Sequence, residues 1–182
     1  MGSQSNPNDA SVIFIGGASA AGKSTAANML SKKIGRPVIA LDRIHNLLTG
    51  YGDTNETNIA ATQAVARAFI EELLKTKTKC IVEGGWIRPS TSAELLDQYG
   101  NTYFPIYCGY QDVRAEDLLR DITDHGVHWL TNRPEPEAVA FIQKQIETSR
   151  TIIRVEAAKY GLNFVDFSDQ NKGCDDLQQL FI

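Results

Sequence analysis

Gly17, Gly22, Lys23 and Ser24 stand at the spacing G-x-x-x-x-G-K-S, within Gly17-Ala18-Ser19-Ala20-Ala21-Gly22-Lys23-Ser24-Thr25. This is the pattern of a phosphate-binding loop, or P-loop. The chemistry explains the spacing. A turn that wraps an anion needs converging backbone N–H groups, with no Cβ in the way at Gly17 and Gly22. A helix must then start at once, so that its unpaired N–H groups and positive dipole end hold phosphate. Lys23 would reach the terminal phosphate oxygens, and the Ser24 hydroxyl can ligate Mg²⁺. Residues 17–25 are the expected nucleotide-binding residues, with Lys23 also a catalytic candidate.

The loop needs a strand before it and a helix after it. Residues 12–15 are apolar and rich in β-branched side chains, and Ala27, Leu30 and Ile34 share one face of a helix over 24–34. Gly35-Arg36-Pro37 stops that helix, and a second short strand spans 38–41. Residues 42–58 are polar, with Gly50, Gly52 and Asp53, apart from a helix-like piece at 44–48, and suggest a substrate-side loop or lid. A helix is expected over 59–75 and a third strand over 79–83, running into Gly84-Gly85. Ser90 or Ser92 could cap a short helix through Leu96. A fourth strand over 102–108 contains Pro105, which predicts a late start or a bulge.

Asp112 is a candidate N-cap for a helix carrying Val113, Leu118, Leu119 and Ile122, whose pattern dissolves near Asp124. The stretch 124–133 has no periodicity and reads as a loop. Pro134-Glu135-Pro136-Glu137 opens the longest helix, which runs to about Tyr160 before Gly161. A fifth strand at 163–167, a polar loop at 168–173 and a helix from about Asp175 complete the chain. Strands alternating with helices imply an α/β fold with a parallel sheet and right-handed crossovers.

Composition narrows the function. A chain of 182 residues, 42% hydrophobic and 22% charged, fits one globular domain over 11–182 behind a short N-terminal tail at 1–10. Eighteen basic against 22 acidic residues, with no basic run, argue against nucleic acid as a partner. There is no run of 18 apolar residues and no signal-peptide pattern. The opening Met1-Gly2 resembles an acylation site but carries Asn6 where Ser or Thr is required. Cys80, Cys108 and Cys174 are far apart, so neither zinc nor a disulfide framework is signalled, and a reducing cytoplasm fits. Cys80 and Cys108 lie in apolar runs as small hydrophobes. His45, His125 and His128 show no ligand-like clustering.

The chain resembles the small P-loop kinases that phosphorylate nucleosides, nucleotides, shikimate, gluconate, antibiotics and similar small molecules. The motifs that carry this are Gly17 to Ser24, Leu41-Asp42-Arg43, Val82-Glu83-Gly84-Gly85 and Tyr160-Gly161-Leu162-Asn163-Phe164-Val165-Asp166. The loop is also similar to that of chloramphenicol-type phosphotransferases, which differ after it. The resemblance implies a three-layer sandwich around a five-stranded parallel sheet in order 2-3-1-4-5, helices on both faces and an arginine-bearing lid at about 124–134. It implies ATP and Mg²⁺ as cofactors, a small-molecule phosphate acceptor as partner, and a monomer or homodimer.

Asp42 would stand at the carboxyl end of the second strand, where ligands bind in open α/β sheets. There it can take a proton from an acceptor hydroxyl or hold magnesium water; its alternative is an N-cap. Glu83 ends the neighbouring strand, as a Mg²⁺ contact, a substrate hydrogen bond or a turn carboxylate. Ser24, Asp42 and Glu83 are thus the metal candidates. Phosphoryl transfer also needs positive charge around the moving group. Arg120 and Arg133 flank the expected lid and are the catalytic candidates, with Arg114, Arg150 and Arg154 as further possibilities. Arg43 and Arg88 could meet an anionic substrate beside Asp42 and Glu83. Trp129 would cover the nucleotide or pack.

Other classes fit less well. Asn171-Lys172-Gly173-Cys174-Asp175 misses the guanine-reading N-K-x-D by one residue, and no D-x-x-G switch is present. A motor or helicase would need a strand ending in an Asp-Glu pair and further modules. The alternative to a kinase is an ATPase or nucleotide-sensing module that turns over without an acceptor.

Overall fold

The computed structural model describes residues 7–49, 56–124 and 129–182. Gly50, Gly52, Asp53, His125, His128 and the middle of the expected lid lie outside the described residues. Five parallel strands form one sheet: β1 (Val12–Gly17), β2 (Val38–Ala40), β3 (Cys80–Glu83), β4 (Tyr103–Gly109) and β5 (Asn163–Asp166). Their order is β2-β3-β1-β4-β5, as the resemblance implied. β1 lies between β3 and β4, and all six of its residues are buried.

Alternation along β1 feeds two cores. Ile13 and Ile15 pack with α1 (Lys23–Ile34), α5 (Ala115–Asp124), α6 (Glu135–Thr148) and α8 (Gln170–Gln179). Val12 and Phe14 pack with α3 (Glu56–Lys75), α4 (Pro89–Tyr99) and α7 (Arg154–Lys159). This is a three-layer sandwich, whose period-2 strands supply both inner faces. Among the described residues no helix is long and apolar enough to cross a membrane.

Pro105 causes neither a bulge nor a late start: β4 pairs with β1 without interruption from Tyr103 to Cys108. The Gly109 carbonyl accepts from Phe167 on the β5 side. By the alternation of a parallel ladder, Pro105, four residues earlier, points the same way. β5 pairs only from Ile106 onward, so no ladder hydrogen bond is missing at the proline.

Helix starts differ from expectation in several places, α3 among them, which begins at Glu56 rather than at residue 59. α4 begins at Pro89 with no side-chain cap. Ser92 is instead buried in a hydroxyl chain, 2.9 Å from the Tyr103 hydroxyl and 2.7 Å from that of Tyr107, which donates to the Ile87 carbonyl. Proline at the first helical position supplies the start by its fixed φ. α5 begins three residues after Asp112, whose own N–H donates to Ser168 Oγ and whose carboxylate is exposed. α8 begins five residues before Asp175, capped by Asp169 Oδ1, which accepts from Lys172 N–H at 3.0 Å. Gly173 reads as a loop residue, yet a Cβ there would lie 2.8 Å from the Asp166 carbonyl. The glycine lets the helix rest on the end of β5.

The long helix after Pro134 is interrupted by a π-helical turn, Ser149–Ile153, between α6 and α7. The turn carries fully buried Ser149, whose Oγ accepts from Tyr110 N–H at 2.7 Å at the end of β4. At the other end of the sheet, Arg36 donates to the carbonyls of Ala10 and Asn8, each at 2.6 Å. Asn8 and Ala10, expected within the tail, are thus tied to Arg36.

Candidate active site

A cleft of about 350 Å³ opens at the carboxyl ends of the strands, lined by residues 19–25 together with Asp42, Glu83, Tyr110, Trp129 and Phe167. Its floor is the loop between β1 and α1. Gly17 has φ +135°, and a Cβ on it would stand 1.9 Å from the Cys108 carbonyl oxygen of the paired strand. Gly22 has φ +70°, and its Cβ would stand 2.9 Å from the Phe167 ring. Both positions therefore demand glycine, for conformation and for space.

Between them Ala20 also adopts a left-handed conformation, φ 63°, and its carbonyl accepts from the Tyr110 hydroxyl. α1 starts from left-handed Gly22 with no side-chain cap and no acid in its first turn. Its first N–H groups are thus left for an anion. Lys23 is buried, and its ammonium donates to the Ala18 carbonyl at 2.7 Å. Burial pulls its pKa below the ordinary lysine value, against the opposing attraction of Asp42 and Glu83.

Two carboxylates meet this loop in contrasting settings. Glu83, at the end of β3, is 4% exposed, and its Oε1 accepts from Ser24 Oγ at 3.2 Å. Its Oε2 is buried without a hydrogen-bond partner among the described residues. Burial raises its pKa, Lys23 lowers it, Asp42 raises it, and the Ser24 bond lowers it. A serine hydroxyl beside an orphaned carboxylate oxygen is a hard-oxygen donor set that suits Mg²⁺, which keeps its other positions for water and phosphate.

Asp42 is exposed in the first turn of α2 (Asp42–Thr49). The Leu41 carbonyl accepts from Ile44 and His45 N–H, so Leu41 precedes the helix and Asp42 is already inside it, not its cap. Asp42 Oδ1 accepts from Trp86 Nε1–H at 2.7 Å. The Trp86 ring stacks on buried His45 at 4.2 Å between centroids. His45 Nδ1 lies 3.1 Å from Thr62 Oγ1, whose single proton goes to the Asn58 carbonyl. His45 must therefore donate from Nδ1.

The arginines divide. Arg133 stacks over the Trp129 ring at 5.0 Å, and Trp129 lines the cleft in a T-shaped pair with Phe141. Arg120 is not brought to the cleft: it lies 3.3 Å from Asp117 in an exposed i, i+3 pair, while Leu118, Asp121 and Ile122 of the same helix line the cavity. Arg114 faces Glu116, and Arg150 donates to the Gln111 carbonyl. Arg43, Arg88 and Arg154 are exposed. Arg88 lines a separate hollow of about 160 Å³ with Gln63, Thr91 and the Trp86 side chain.

Cys80 and Cys108 are buried, which raises their thiols to about 11 and about 12, consistent with an inert packing role. Three groups at the site escaped the sequence reading: Trp86 on Asp42, Tyr110 on the loop, and Gln145 of α6, whose Oε1 accepts from Ser19 N–H at 3.1 Å. Trp86 had a signal, as an aromatic directly after a glycine pair at a strand end. A glutamine inside a helix had none.

This sheet order, with a glycine-built loop between the central strand and its helix, is the fold of the small-molecule P-loop kinases. The chain belongs to the AAA domain family, whose model matches residues 12–128. No curated protein matches it. Among solved structures it is similar to a gluconokinase from Sinorhizobium meliloti 1021, at 17% identity over 93% of this chain and 92% of that one, TM-score 0.57. It is similar likewise to shikimate kinase from Acinetobacter baumannii in complex with shikimate, at 18% identity over 93% and 89%, TM-score 0.60. A sugar kinase from Janibacter sp. HTCC2649 shares 12% identity over 93% and 89%, TM-score 0.57.

Proposed function

We propose that the protein is an ATP- and Mg²⁺-dependent phosphotransferase that moves the γ-phosphate to a hydroxyl, or a phosphate, of a small-molecule metabolite. The observation that carries this reading is the juxtaposition of Lys23, the Ser24–Glu83 pair with its orphaned Oε2, and Asp42 around one glycine-built loop. A fold shared with kinases of small metabolites agrees with it.

In this reading the N–H groups of Ala20 and of residues 22–25 cradle the phosphates and Lys23 holds the oxygens of the transferring group. Ser24 and Glu83 would hold Mg²⁺, which supplies charge neutralisation on the phosphates. For a hydroxyl acceptor, the oxygen attacks the γ-phosphorus in line, its proton passes to the Asp42 carboxylate, and the bond to the bridging oxygen breaks to release ADP. The Trp86 indole fixes one Asp42 oxygen, leaving the other for the acceptor. Arg133, on the rim through Trp129, adds positive charge near the phosphates. Arg43, next to Asp42 in sequence, is suited to an anionic group on the acceptor, whereas Arg88 lines the separate hollow. Arg120 has no role in this arrangement.

The test is ATP consumption with nucleosides, sugars, sugar acids, and aminoglycoside or phenicol antibiotics as acceptors. One class should raise ADP formation well above the rate without acceptor and yield a phosphorylated product. Hydrolysis that no acceptor stimulates would replace the kinase with an ATPase or nucleotide sensor.

A further inference from the structure

One peptide group of the loop is gripped from both sides. The Ala18 carbonyl accepts from Lys23 Nζ at 2.7 Å, and the N–H of the same peptide unit, on Ser19, donates to Gln145 Oε1 at 3.1 Å. No peptide bond among the described residues is cis, so this carbonyl and N–H point in opposite directions and the unit turns as a rigid plane. Whatever fixes the N–H therefore fixes the carbonyl, and with it the place of the ammonium.

Gln145 is far from the loop in sequence, 126 residues from Ser19. It stands on a firmly seated helix. Its neighbours Ile142 and Ile146 on α6 are buried in the core that also holds Ala21, Ala26 and Ala27 from the loop and α1. The other groups that meet the loop contact different atoms: the Tyr110 hydroxyl takes the Ala20 carbonyl, and Glu83 takes the Ser24 hydroxyl. Gln145 is neutral. It can accept from the N–H without adding charge beside a site for phosphate, where a carboxylate would repel.

We propose that Gln145 is a positioning residue for Lys23: by accepting from Ser19 N–H it holds the Ala18–Ser19 peptide with its carbonyl toward the ammonium, so that α6 sets where Lys23 meets the transferring phosphate. This rests on the phosphotransferase reading above. The consequence falls on the transferring group. ADP lacks that phosphate and should bind almost independently of Gln145.

Two measurements test it. In the unaltered protein, hydrogen exchange at the Ser19 amide should be slowed to the level of the hydrogen-bonded α1 amides from Ala26 onward; free exchange there overturns the proposal whatever the activity. Gln145→Leu keeps the bulk and removes the acceptor. Its kcat should fall by about 10- to 100-fold, the scale of a small misplacement of a reacting group. ADP affinity should stay within about twofold and the melting temperature should be parental. In the Leu variant the Ser19 amide should exchange at least about tenfold faster than in the parent. A Leu variant with parental kcat, or with unchanged Ser19 exchange, overturns the inference. A parent without phosphotransfer to any acceptor sinks the kinase reading instead, and the Ser19 exchange result stands apart from it.

Discussion

The two sides of the cleft are built by different means. On the side proposed to hold phosphate the chemistry is backbone: Gly17 is wedged against the Cys108 carbonyl, Ala20 is held by Tyr110, and α1 offers uncapped N–H groups. On the side proposed for the acceptor it is side chain: Asp42 is exposed, oriented by Trp86, which is itself stacked on His45. In the proposed reaction the phosphate side matches an anion common to every nucleotide, which accords with its glycine-dependent build. The acceptor side must match one molecule, and side chains on α2 and the β3–α4 connection can vary without disturbing the sheet.

Changes on the phosphate side should abolish function, and changes on the acceptor side should grade it. Lys23→Ala removes the ammonium proposed to meet the terminal phosphate. It should abolish turnover and weaken ATP binding, measured by kcat and by titration calorimetry, with the fold intact by circular dichroism. Full activity in that variant would remove the phosphate-loop assignment.

Across the cleft, Asp42→Asn keeps an oxygen for the Trp86 indole and removes only charge and basicity. Its kcat should drop by about 10²–10⁴, the scale of a lost general base, while its melting temperature and ATP affinity hardly move. A parental kcat would show that Asp42 is not the base. Trp86→Phe preserves the stack on His45 and deletes the donor to Asp42. A hydrogen bond to an exposed charged acceptor sits at the low end of about 1.5–3 kcal/mol, about tenfold in kcat. A loss as large as that of Asp42→Asn would mean that Trp86 contacts the acceptor directly.

The smallest effect sharpens the contrast between the two acids. Burial raises the Glu83 carboxyl above its ordinary 4.5, so the folded state holds a proton that the unfolded state has already released. Its contribution to stability is therefore full below pH 4.5 and is lost as pH rises through the folded-state value. Glu83→Gln should raise the melting temperature at pH 7 without Mg²⁺ and ATP, the gain vanishing below about pH 4.5. The same variant should lose stabilisation by Mg²⁺ with ATP in a thermal-shift series. An unchanged metal response would remove Glu83 from the metal site.

The amino-acid sequence by itself determined the elements whose chemistry is local. A glycine-bounded turn followed by Lys23 and Ser24, and strands alternating with amphipathic helices, can be read because their constraints act over a few residues. Asp42 and Glu83 were found on the same ground, since each follows directly from a strand end. Only the tertiary structure decided what meets across the chain. Pro105 is accommodated because β5 pairs one residue too late to need its N–H. The helical position 173 takes a glycine because the Asp166 carbonyl leaves no room for a Cβ. Arg120 faces Asp117 because the other side of α5 carries Leu118 and Ile122 into the cleft. Trp86 on Asp42 and Gln145 on Ser19 join residues 44 and 126 positions apart. Such pairings depend on strand order and helix packing, which no local spacing encodes.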